Sequence, residues 1–234
     1  MMLTEAIWSL MLKYKINEIF TTIQCEGHFA GTPSIFIRFQ GCDVGCGFCD
    51  TKFTWAEDEV DKLNLTEILL KDDSGNKSWA ECSIENIIEH VMQLPNVKHL
   101  TLTGGEPCLQ DLLPLITALE AIDKTVQIET SGTEIVNCTE KTWVTLSPKI
   151  EIGNMKPMLA QPILRANEIK YVVGAINHVK KLDEMLKKVP IKKDVPIYLQ
   201  PMSQLSKATE VCIRLCIDRG WKLSLQTHKY IDIR

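Results

Sequence analysis

The chain has 234 residues (26.5 kDa, 45 % hydrophobic), enough for one substantial core and short for two, so a single domain is expected. Its net charge is −4, and no basic run exceeds the Lys187-Lys188 and Lys192-Lys193 pairs, which argues against a nucleic-acid partner and for a small-molecule substrate. No apolar run approaches the ~20 residues of a membrane span. The N-terminus carries Glu5 where a signal peptide would be positive, so a cytoplasmic protein is expected.

Residues 1–13 are set apart as an N-terminal extension of unknown role, with a single domain over 14–234. The first core strand is expected at 34–39, where Ser-Ile-Phe-Ile-Arg-Phe is rich in aromatic and β-branched residues. It delivers Arg38 and then the loop Gln40 to Thr51. Residues 55–82 are polar and mixed, with a turn at 71–77, and read as a surface insertion. Ser83 is placed to cap a helix whose Ile84, Ile87, Ile88 and Val91 recur at helical spacing, ending near Leu94-Pro95.

A strand over 97–103 follows, closed by Gly104-Gly105. Asp111 is then expected to cap a helix running to 122. Further strands are expected at 126–130, 143–147, 168–173, 195–200 and 222–226, with helices over 178–188 and, capped by Ser206, to 219. Few helices fall between 126 and 147. Strands alternating with helices imply an α/β fold with mostly parallel strands, curled or barrel-like, whose active site gathers at the strands' C-terminal ends. Arg38, Cys42, Thr103, Ser131, Ser147, Gln200 and Thr227 would converge there. Cys212 and Cys216, spaced i and i+4 beside Val211 and Leu215, read as helix core, and the cysteines outside the loop as free thiols.

The loop itself holds Cys42-x3-Cys46-x2-Cys49. Thiolates are soft ligands for iron–sulfur clusters and zinc, and three on one short loop can hold three corners of a cubane. With no fourth cysteine nearby, the spacing suggests an iron left open for an exogenous ligand. A zinc site completed by a distant residue stays open on the spacing alone.

Several further motifs accompany the loop in order. Lys15-Ile16-Asn17-Glu18 follows Tyr14, then come Gln24-Cys25-Glu26-Gly27, Phe36-Ile37-Arg38, Cys49-Asp50-Thr51, Thr103-Gly104-Gly105-Glu106-Pro107-Cys108, Glu129-Thr130-Ser131-Gly132-Thr133, Ser147-Pro148-Lys149 and Gln226-Thr227-His228-Lys229-Tyr230. Together they resemble the 7-carboxy-7-deazaguanine synthase family of the radical S-adenosylmethionine (SAM) superfamily, lyases of the queuosine (7-deazapurine) route to modified tRNA. The resemblance runs from Tyr14 to the C-terminus and implies a partial, abbreviated radical-SAM barrel.

It also implies a [4Fe-4S] cluster on Cys42, Cys46 and Cys49, SAM, and Mg²⁺ bound by Thr51. Phe48, Asp50, Gly105, Glu106, Ser131, Ser147, Pro148, Lys149 and Gln200 would meet SAM. Phe48 would pack on adenine, Glu106 would face the ammonium, and Ser131, Ser147 and Lys149 the carboxylate and ribose. The implied substrate is 6-carboxy-5,6,7,8-tetrahydropterin, contacted by Ile23, Gln24, Cys25, Glu26, Arg38, Thr103 and His228, with Arg38 suited to a bidentate pair with its carboxylate. No side chain is given a catalytic role, because cluster and SAM carry the chemistry. A homodimer and a flavodoxin-like or ferredoxin-like electron donor complete the implied set. Another radical-SAM activity, such as activation of a glycyl-radical protein, would leave Thr51 and the Gln24 to Gly27 motif unexplained. Cys25 departs from the family's usual glycine, and is expected not to be a cluster ligand.

Overall fold

The computed structural model describes residues 12–71, 75–150 and 156–233. Most of the expected N-terminal extension and the centre of the 71–77 turn lie outside them. One open nine-stranded sheet, in the order β3-β1-β2-β4-β5-β6-β7-β8-β9, organises the chain. Its strands are β1 (Lys13–Ile23), β2 (Pro33–Phe39), β3 (Ala80–Ser83), β4 (His99–Gly104), β5 (Thr125–Thr130), β6 (Trp143–Leu146), β7 (Glu168–Val173), β8 (Ile197–Pro201) and β9 (Lys222–Leu223). From β2 to β9 every pairing is parallel, whereas β1 runs antiparallel to both β2 and β3. The mostly parallel α/β sheet is as expected, open at both edges rather than closed into a full barrel.

The expected first core strand is therefore the second. β1 escapes recognition because alternation fails in it: Asn17 and Glu18 are as buried as Ile16 and Ile19 beside them. The 55–82 segment is also more built-in than a surface insertion. It contains helix α1 (Leu65–Leu69) and ends in β3, and it buries Ile68, Trp79, Ala80 and Cys82.

The remaining helices are α2 (Ile84–Gln93), α3 (Leu113–Ala121), α4 (Ala160–Arg165), α5 (Ile176–Lys188), α6 (Ser206–Arg219) and α7 (His228–Ile231). Ser83 caps α2 as expected: its hydroxyl accepts from Asn86 N, and the Asn86 side chain returns the bond to Ser83 N. Two other caps fall differently. Asp111 accepts from Leu113 N but stands one position outside the cap, which is Leu112, and Ser206 is the first residue of its helix rather than the cap.

Because strand side chains alternate, the parallel register sorts residues into two faces. Ile35, Ile37, Leu100, Leu102, Val126, Ile128 and Val144 pack under α2 and α3, and Leu146, Ile169, Val173, Ile197 and Leu199 under α5 and α6, where Cys212 and Cys216 are core as expected. The opposite face is polar. Ser34, Thr101, Gln127, Thr145, Glu168, Lys170 and Gln200 lie on it, all buried.

A segment that follows β1 covers the N-terminal half of this polar face. The Gln24 amide donates to Gln127 Oε1 and Glu129 Oε1 (both 3.2 Å), His28 stacks on Trp143 (4.4 Å between centroids) and Phe29 lies on His99 (4.2 Å). Gly27 makes the crossing possible: its φ is +65°, and a Cβ there would sit 2.7 Å from the Glu168 carboxylate. The C-terminal half of the face stays open.

Candidate active site

Over that open half lies a cavity of about 490 Å³, lined by the cysteine loop, the ends of β2, β4, β5, β7 and β8, the Gln24–Glu26 stretch and the C-terminal residues around His228. The site residues expected from the sequence line it, except Pro148, which is buried beside Ser147, and Thr227, whose hydroxyl instead donates to Cys25 O (3.1 Å).

Backbone hydrogen bonds hold the start of the cysteine loop against the end of β4. Gly105 N donates to Phe39 O (3.0 Å) and Glu106 N to Gly41 O (2.9 Å). A Cβ on Gly105 would meet Gly41 O at 2.0 Å, so only glycine lets the two loops touch. Cys49 N donates to Cys46 O (3.0 Å), closing the turn that turns the thiols inward.

All nine cysteines are free, and burial pushes the Cys42 thiol up to about 11 and raises Cys46 as well. Among the described residues no three His, Cys, Asp or Glu side chains converge tightly enough to grip a single ion. Three thiols on one wall suit three corners of an iron–sulfur cluster. Cys25 stands apart from them, its thiol donating to Ile23 O (3.3 Å).

Around the loop the expected SAM-side residues are present, several with protein partners. Glu106 is buried, and its carboxylate accepts from Cys108 N (3.1 Å), Thr130 Oγ1 (2.8 Å), Ser131 N (2.8 Å) and Ser131 Oγ (2.5 Å). It therefore ties the end of β4 to that of β5. Lys149 donates to Ser147 Oγ (2.8 Å) and lies over the Phe48 ring (5.4 Å). Thr51 Oγ1 is 3.4 Å from Gly104 O and from Cys49 Sγ. Asp50 accepts from Gln226 Nε2 (3.3 Å) and pairs with Lys229 (3.7 Å), joining the cysteine loop to the C-terminal segment.

On the other side of the cavity, Arg38 Nε donates to Glu18 (2.5 Å), whose side chain is 0 % exposed. The guanidinium sits between the Phe20 and Phe53 rings, and its outer edge faces the chamber. Gln200 accepts from Ser224 Oγ (3.0 Å). Ile23 is half-exposed at the rim, and Thr103 lies beside Arg38 in register. Burial lowers the His228 imidazole below its usual value against the opposing pull of Glu26.

Sequence reasoning missed the charges that hold this wall. Lys170, only 4 % exposed, donates to Glu26 (2.5 Å) and to Glu129 (3.0 Å). Burial alone would raise the Glu26 carboxyl, but the Lys170 ammonium outweighs it and holds Glu26 down at about 2. Gln226 adds a hydrogen bond to Glu26 (3.1 Å). A signal existed in the strands: Glu168 and Lys170, like Gln127 and Glu129, are charged or polar at i and i+2 within otherwise apolar runs, which marks one polar face of an interior strand.

The chain as a whole is similar to known proteins. Residues 36–186 match the Radical SAM superfamily model. The 7-carboxy-7-deazaguanine synthases of Escherichia coli K12 and of Buchnera aphidicola from Schizaphis graminum are each 48 % identical to the chain, over 95 % and 94 % of it and 100 % and 99 % of their own lengths. That of Bacteroides thetaiotaomicron is 36 % identical over 94 % of the chain and 98 % of its own. The crystal structure of QueE from Escherichia coli superposes with a TM-score of 0.90 at 46 % identity, covering 95 % of this chain and 98 % of that one. With the open parallel sheet and the cysteine loop at its C-terminal edge, these likenesses establish that the chain is a radical SAM enzyme and belongs to the 7-carboxy-7-deazaguanine synthase family.

Proposed function

We propose that this chain converts 6-carboxy-5,6,7,8-tetrahydropterin to 7-carboxy-7-deazaguanine and ammonia. The observation that carries the reading is the single chamber shared by the three cysteines, Thr51, Arg38 and the Gln24 to Glu26 stretch. When bound, a [4Fe-4S] cluster on Cys42, Cys46 and Cys49 together with SAM supplies the radical that removes hydrogen from C6 of the pterin, before ring contraction and loss of ammonia. The protein's own task is to bind, orient and exclude water.

For the substrate carboxylate, Arg38 offers the edge of its guanidinium that Glu18 leaves free, and Glu18 keeps the plane aimed. Thr51 would give its hydroxyl to Mg²⁺, a cation that takes few protein ligands and keeps several waters. Gln24, Glu26, Thr103 and His228 would meet the ring edges, with Ile23 at the rim and Cys25 buried in the lining. Phe48, Asp50, Gly105, Glu106, Ser131, Ser147, Lys149 and Gln200 form the SAM side. Glu106 acts there by fixing Ser131 and Thr130, since both carboxylate oxygens already accept protein donors.

The enzyme is further proposed to act as a cytoplasmic homodimer reduced by a flavodoxin-like or ferredoxin-like donor. Anaerobic reconstitution with iron and sulfide, then incubation with reductant, SAM, Mg²⁺ and the carboxypterin, tests the reaction. The expected result is the deazaguanine product. Deoxyadenosine formed without that product would refute the substrate assignment, and a reduced cluster unperturbed by SAM would refute the enzymatic reading altogether.

A further inference from the structure

Lys170 is a cation almost sealed from water on an interior strand, and no part of the chemistry above uses it. Taking an ammonium out of water is costly unless it is paired and hydrogen-bonded, so its partners matter. They come from three elements. Glu26 lies on the segment after β1, Glu129 on β5, and Glu168 two residues back on β7 itself. His228 of α7 faces the same group from the C-terminal segment.

One ammonium between Glu26 and Glu129 leaves the wall with a net negative charge. Each of these carboxylates spends one oxygen on Lys170. The other oxygen of Glu26 accepts from Gln226 (3.1 Å) and that of Glu129 from Gln24 (3.2 Å), which leaves lone pairs on both turned to the cavity they line. Without the cation, burial would raise the Glu26 carboxyl, and a protonated carboxyl is a poorer acceptor.

We propose that Lys170 is a positioning residue for the pterin: it holds the Glu26 and Glu129 carboxylates aimed so that they accept hydrogen bonds from the 2-amino group and ring N–H of the substrate's aminopyrimidinone edge. The inference rests on the substrate reading above and adds to it the device that selects a 2-amino ring over a 2-oxo one. Lys170 does not touch the reacting carbon. Its effect is on substrate affinity and specificity.

The test compares the carboxypterin with its 2-oxo analogue, by calorimetric binding to the reconstituted enzyme and by turnover. The wild type should prefer the 2-amino compound by about 100-fold or more, because the analogue leaves buried acceptors unpaired. Lys170→Met should raise KM about ten- to hundredfold, with unchanged cluster iron and SAM binding. It should also erode the preference and introduce into the pH profile of kcat/KM an ionisation that the wild type lacks.

Equal binding of the two compounds by the wild type overturns the proposal, as does a folded Lys170→Met with unaltered KM, preference and pH profile. Should Lys170→Met fail to fold, Glu129→Gln alone must show the KM rise and lost preference, and wild-type behaviour in it overturns the proposal equally. Failure of the wild type to form the deazaguanine counts instead against the substrate reading, and is distinguished because the two binding measurements do not depend on turnover.

Discussion

The two faces of the sheet are built from the same strands by opposite rules. On one, Ile37, Leu102, Ile128 and Leu146 meet helices through contacts that need only shape and volume. On the other, Gln127, Thr145, Glu168 and Lys170 are just as buried, and each is a liability unless paired. That pairing is extensive. Ser34 meets Thr101 (2.9 Å), Gln127 joins His99 (2.9 Å) and Thr145 (2.8 Å), and Thr145 donates to Glu168 (2.7 Å), which accepts in turn from His28 N (2.9 Å). The apolar face stabilises the molecule. The polar face draws on that stability to keep a directional set of donors and acceptors ready for a polar ligand.

Substitutions should separate the two faces. The largest effect is expected for Cys46→Ser at the polar face's open end: cluster iron and product both fall to the detection limit, while the melting temperature stays near that of the unreconstituted wild type. Gly105→Ala comes next. Its added methyl collides with Gly41 O and moves the cysteine loop, so turnover should fall about 100-fold with the secondary structure seen by circular dichroism intact.

On the opposite face Leu102→Ala should cost about 2–5 kcal/mol in urea unfolding and leave KM unchanged wherever the protein is folded. A rise in its KM would show that the faces are not independent.

Acid should reveal the polar face in the wild type. Glu26 is held at about 2, below its ordinary 4.5, so its contribution to stability is present above pH 4.5 and is lost as pH falls toward 2. Lys170→Met should flatten that part of the stability curve. The smallest effect is expected outside both faces, where Arg219 grips Asp183 through two bonds (2.5 and 3.1 Å) on the partly exposed surface of α5 and α6. Asp183→Asn should cost no more than about 1 kcal/mol and leave turnover unchanged.

The difference between the faces also explains what could be read in advance. Apolar periodicity located α2 and the strands from β4 to β8, and the cysteine spacing with its ordered neighbours located the cavity's lining. β1 was lost because Asn17 and Glu18 are buried for polar reasons that a hydrophobic pattern does not register, and β3 because four residues carry too little pattern to count. Lys170 and Glu129 were missed for a related reason. Their importance lies in a contact across 41 residues of sequence, and only the fold brings them together. Thr51 and Arg38 flank the cysteine loop, but their expected roles came from the family resemblance and not from the cysteine spacing.

The aromatic cover over the lower half of the sheet also acts as insulation. With His28 and Phe29 stacked on Trp143 and His99, the chamber has a floor at the strands' N-terminal ends. Such a floor keeps bulk water from the underside of the Lys170 cluster, where a lower local dielectric strengthens each charge pair.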